Sequence, residues 1–165
     1  MGRKSTRKDK TPYQIAREAA GLTREKAAEV SGISATQIAR IEGNRAFPHP
    51  YDVMAMAKAY KAPWLCNHFC SKECEVGKKY VDTITLTDLT RVVMEILNSL
   101  NNLAEKKDCL IRLAADGKIT DSETGEFYRI LTELDRISDL TDALKLWNET
   151  MVAEGKMRAD TKKKA

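Results

Sequence analysis

Cys66, Cys70 and Cys74 recur every four residues, so on one continuous helix their thiols would share a single stripe. Clustered thiolates bind zinc or iron–sulfur groups, or exchange as a redox pair, for which Cys70 and Cys74 are the candidates. The spacing is not that of a C-x-x-C site. A fourth ligand would have to come from Cys109, His49 or another chain, because His68 falls on the opposite helix face. Ser71 and the polar run behind it end a helix near Cys70, which loosens the stripe. The favoured reading is buried structural thiols that pack the hairpin against the first domain, with no metal and no cofactor. Asp116-Gly117-Lys118, followed by Asp121 and Glu123, is acidic but lacks the alternating ligand order of a calcium loop, and reads as a turn. His49 and His68 fit no nucleophile–base–acid pattern, so no enzyme is expected.

A second set of side chains suits a polyanion. Residues 1–11 hold five Lys or Arg against one Asp, and residues 12–65 seven against five acids. Residues 66–154 reverse the balance, eleven against seventeen, and residues 155–165 return to five against one. Positive charge therefore gathers on the two ends and the first domain, while the middle of the chain repels DNA. No apolar run approaches the roughly 20 residues of a membrane span. The charged start, MGRKSTRKDK, is not a signal peptide, so a cytoplasmic protein with no membrane partner is expected.

The elements that position these charges follow from start and stop signals. Thr11-Pro12 with Gln14 opens a first helix as a capping box, and Gly21 ends it. Thr23 caps a second that runs to about Val30 and is broken by Gly32. Ser34-Ala35-Thr36-Gln37 is a further capping box, and its helix stops near Gly43-Asn44. A fourth helix follows Pro48 and Pro50, from about Tyr51 to Tyr60, and Pro63 starts a fifth. Residues 66–83 form a Cys-rich link. Beyond it, Leu89, Val93, Ile96, Leu100, Leu103 and Leu110 keep a heptad spacing, as do Phe127, Ile130, Leu134, Ile137 and Leu144. With Thr120 and Glu123 capping the return helix, residues 84–154 read as an antiparallel helical hairpin. Residues 1–11 and 155–165 read as disordered basic segments.

Residues 22–45, LTREKAAEVSGISATQIARIEGNR, place two short helices on either side of a glycine turn. Ala27, Val30, Ile33, Ile38 and Ile41 would form their core, and small Ala27 and Ala28 allow a close crossing. Ser34, Ala35, Thr36, Ala39 and Arg40 then face outward, with Gln37 at the flank. Arg pairs bidentately with guanine, while Ala and the Thr methyl suit a thymine methyl.

The segment resembles the Cro/phage-repressor (XRE) helix-turn-helix family through Gly21-Leu22-Thr23, Ala27-Ala28, Gly32-Ile33-Ser34 and Ile38-Ala39-Arg40-Ile41-Glu42-Gly43. The resemblance covers residues 12–65. It implies a five-helix repressor-like DNA-binding domain, and with the long hairpin that follows the whole chain is expected to be all-α. It further implies that Ala35, Thr36, Gln37 and Arg40 contact bases, and that Arg24, Ser34, Asn44 and Arg45 contact phosphates. Two departures stand out: Arg24 replaces the family's usual Gln, and the glycine after Glu42 comes one place early, which assigns the left-handed position to Asn44. The expected function is a bacterial or mobile-element repressor that binds double-stranded DNA as a homodimer, paired through the hairpin. Two alternatives are a protein-docking module on the same fold, and a metal or redox sensor using the cysteines.

Overall fold

The computed structural model describes residues 10–85, 88–116 and 119–159. Most of the two basic segments lies outside the described residues, as do Gly117 and Lys118 of the expected turn. Among the described residues there is no strand, and no helix is long and apolar enough to cross a membrane.

Short polar side chains start the first four helices. Thr11 stands in extended backbone before α1 (Pro12–Ala19), and its hydroxyl accepts from the Gln14 amide at 3.4 Å. The return half of that capping box is not made, because the Gln14 side chain donates to Glu18 instead, at 2.8 Å. Thr23 caps α2 (Arg24–Ser31) by accepting from the Lys26 amide at 3.2 Å. Gly32 ends α2 in the left-handed region, at φ 74°, which disfavours any side chain. Ser31 Oγ closes the same end by donating to the Ala27 carbonyl and accepting from the Ile33 amide. Ser34 then caps α3 (Ala35–Glu42), accepting from the Gln37 amide at 3.2 Å. α4 (Pro50–Ala59) is capped by a histidine: His49 Nδ1 accepts from the Tyr51 amide, and Asp52 reaches back to the His49 amide.

The core of this domain gathers Ala27, Ile33, Ile38, Ile41, Val53, Met56 and Leu65, with Tyr13 and Ala16 of α1 beside them. Val30 does not join it and is 52% exposed. The small Ala27 side of α2 meets α3 and α4, and Val30 is carried round to the flank. α5 (Trp64–His68) continues directly into a π-helical turn, Phe69–Glu73, and a short α6 (Gly77–Tyr80) follows. The expected Cys-rich link is therefore largely helical, and Phe69 belongs to the first domain's core with Cys66, Cys70 and Cys74 packed against it. Gly77 makes this packing possible, since a Cβ there would overlap the Cys70 carbonyl. Asn67 fixes the extended stretch that leaves the domain, donating to the Asp82 carbonyl at 2.9 Å and accepting from the Ile84 amide at 3.0 Å.

The chain divides into two compact units, one formed by residues up to Ile84 together with Asn148 onward, the other by Thr85–Trp147. In the second, the first arm is two helices: α7 (Leu89–Glu105) and α8 (Lys107–Asp116). They part at Lys106, whose amide bonds the Leu103 carbonyl in a tighter turn, where charged Lys106-Lys107-Asp108 interrupts the apolar stripe. α9 (Asp121–Ala153) is the long return helix. Cys109 and Ile130 are buried together with Leu103, Leu110 and Phe127 around them, and Arg136 reaches Glu95 across the pair, so the arms run antiparallel.

The heptad residues of α7 divide between two faces. On α7 the buried residues are Val92 and Ser99, whereas Leu89, Val93 and Leu100 are exposed. Leu103 sets this division by joining the Cys109–Ile130 cluster, so the inner line becomes Val92, Ile96, Ser99 and Leu103.

Candidate nucleic-acid interface

Three of the eight side chains of α3 are buried, so its remaining face is defined by the same packing. Ile38, Ile41 and Glu42 are buried, which leaves Thr36 and Arg40 exposed and Ala35, Gln37 and Ala39 half-buried beside them. Ser34 is exposed at the helix start. The outward face is thus short side chains plus one arginine, the shape that fits a helix into a major groove.

Beyond α3 the chain turns at Asn44, which adopts φ 53°. Asparagine tolerates this region better than most residues. The amides of Arg45 and Ala46 then both reach back to the Arg40 carbonyl, at 2.8 and 3.2 Å, closing the helix end. Asn44 and Arg45 are both exposed on this turn. Among the described residues neither Arg40 nor Arg45 has an ion-pair partner.

Arg24 differs. Its Nε donates to Glu42 Oε2 at 2.8 Å, and its side chain remains 42% exposed. Glu42 is a buried carboxylate that also receives Arg17 of α1 through both oxygens. Arg17 in turn donates to the Leu22 carbonyl, so one guanidinium joins α1, the α1–α2 turn and α3. Arg17 escaped the sequence reading. Its signal was present: it shares the inward side of α1 with Tyr13 and Ala16, where a charge needs a buried partner.

Behind the Asn44–Pro48 turn lies a groove of about 510 Å³, lined by Tyr13, Ile41, Phe47 and Glu73 among others. Tyr13 Oη donates to Glu73 at 3.0 Å, and His68 Nε2 lies 3.2 Å from the other Glu73 oxygen. Phe47 packs on Phe69 with ring centres 5.7 Å apart, so the π-helical turn supports the turn that carries Asn44 and Arg45.

The cysteines form no comparable constellation. Burial pushes the Cys66 thiol above its ordinary range, which opposes thiolate formation. Among the described residues, no group of three or more His, Cys, Asp or Glu could hold a metal ion.

With this geometry in place, comparison with known families assigns the class of domain. Residues 14–64, about a third of the chain, match the family model described as a helix-turn-helix domain. The match spans α1 to the first residue of α5. The first unit therefore contains a helix-turn-helix domain, and an all-α chain built on one points to a DNA-binding regulator. No curated protein and no solved structure matches the chain.

Proposed function

We propose that this chain is a sequence-specific, double-stranded-DNA-binding transcriptional regulator of the repressor type, acting in the cytoplasm as a homodimer. The observation that carries the reading is the outward face of α3, where Thr36 and Arg40 stand exposed and, among the described residues, without ion-pair partners, on a helix braced from behind. In the proposed complex, Ala35, Thr36, Gln37 and Arg40 meet base edges in the major groove. Ser34, Asn44 and Arg45 hold phosphates on either side. Arg24 does so with the guanidinium nitrogens that Glu42 leaves unused. A single such helix covers too few base pairs for selectivity, so two copies read a two-fold symmetric site.

The test is a selection of bound fragments from random duplex DNA, followed by titration of the enriched duplex at several salt concentrations. The expected result is a palindromic consensus whose affinity falls steeply with salt. Failure to enrich any duplex at low salt would sink the reading.

A further inference from the structure

α7 carries two apolar stripes, and only one of them is covered. The inner stripe of Val92, Ile96, Ser99 and Leu103 is buried or half-buried. At 3.6 residues per turn, Leu89, Val93, Leu97, Leu100 and Ala104 form a second stripe beside it. Every one of these five is exposed, Leu97 and Leu100 at 50% and 46%. At its C-terminal end this stripe opens into a groove of about 480 Å³ lined by Leu100, Leu103, Ala104, Leu110 and Ile111, with Lys107 at its lip.

The three charged residues of α7 are Arg91, Glu95 and Glu105, and all lie on the opposite half of the helix. An uncharged apolar face of this kind is what the centre of an interface looks like. Apart from Lys107 at the lip of the groove, it offers no charge for an acidic or basic partner to complement. Two identical copies meet there without like-charge repulsion.

The order of side-chain sizes also favours a copy of itself. In an antiparallel pair with its two-fold axis beside Leu97, Leu89 of one copy faces Ala104 of the other, and Val93 faces Leu100. The bulky Leu89 meets the small Ala104 and arrives at the mouth of the Leu100–Ile111 groove, while the two Leu97 side chains pack beside the axis. We propose that a second copy of this chain covers the Leu89–Ala104 face of α7 in this two-fold arrangement. The proposal rests on the dimer reading given above and specifies its surface.

The experiment uses the full chain. Sedimentation gives the oligomeric state of the parent protein and of Leu97→Glu, with circular dichroism as the check on folding. The expected result is a dimeric parent and a folded, monomeric Leu97→Glu, its dissociation constant raised roughly a hundredfold because each interface receives two charges. In a second arm, Leu97→Cys should cross-link across the axis under mild oxidation, whereas the parent chain and Arg91→Cys, on the opposite side, should not. A folded Leu97→Glu that stays dimeric, or a Leu97→Cys that cross-links no better than Arg91→Cys, overturns this face while leaving the dimer in place. A parent chain that is monomeric, alone and on its selected DNA, overturns the dimer itself.

Discussion

The guanidinium of Arg17 and the carboxylate of Glu42 meet in a two-point bond, Nε to Oε1 at 2.5 Å and Nη2 to Oε2 at 3.1 Å, with both side chains almost wholly buried. They tie the first helix of the domain to the end of α3. Removing one partner strands the other charge in the core. Glu42→Ala should therefore destabilise the domain by about 3–5 kcal/mol, a large share of what such a domain possesses. Arg17→Met with Glu42→Leu should recover much of that loss, since an apolar pair leaves no charge stranded. Denaturant unfolding of the three variants checks this, and a double variant no better than Glu42→Ala would refute it.

Arg40 and Arg45 are both exposed and unpaired among the described residues, yet they should respond differently to replacement. Arg40→Ala should cost roughly 1–3 kcal/mol on the selected duplex and relax preference at one position per half-site. Arg45→Ala should weaken all duplexes alike and flatten the salt slope by about one unit. Titrations on specific and random DNA separate the two. If Arg40→Ala lowers both affinities equally, Arg40 contacts a phosphate.

Tyr60 is buried, and its hydroxyl has no hydrogen-bond partner among the described residues. Burial, and then the Glu42 charge, push its pKa up from 10.0 to about 12. The raised value means that the folded state favours the phenol. Stability is complete below pH 10 and falls as pH rises towards 12, by about 2–3 kcal/mol in all. Tyr60→Phe should abolish that loss and cost little at neutral pH. Denaturant midpoints between pH 9 and 12 test it; parallel curves for the two proteins would assign alkaline unfolding elsewhere.

Ser99 lies on the inner stripe of α7, fully buried, with a hydroxyl that likewise lacks a partner among the described residues. Ser99→Ala removes the unmet group and improves helix propensity, so the second unit should gain up to about 1 kcal/mol. Thermal unfolding reads the gain. A lower melting temperature would show that the hydroxyl is bonded in solution.

The helix starts and stops were legible because they are local. Thr11, Thr23 and Ser34 cap as their types dictate, and Gly32 and Asn44 take the left-handed backbone. The outward face of α3 followed from the same period. What escaped the reading depends on tertiary contact. Val30 has a core residue's chemistry and leaves the core because Ala27 packs closer. The heptad line of the hairpin was legible but not its division into a buried and an exposed stripe, since Leu103 is held only through its contacts with α8 and α9. Arg17 and Arg24 have the composition of surface residues, and their common partner lies on another helix. The π-helical turn at Phe69–Glu73 carries no local signal, and depends on Gly77 being small enough to approach Cys70.

The absence of charge along the Leu89–Ala104 stripe of α7 has a consequence for control. Attraction to a phosphate backbone collapses as ionic strength rises, through counterion release. The proposed association through Leu97 and Leu100 would involve no charge to screen, and strongly hydrated salts such as sulfate would reinforce it. Salt should thus strip the protein from DNA with its pairing intact, while dilution should separate the copies before each loses its residual attraction to DNA. Occupancy of a binding site would then answer to the ionic medium and to the amount of protein as two independent variables.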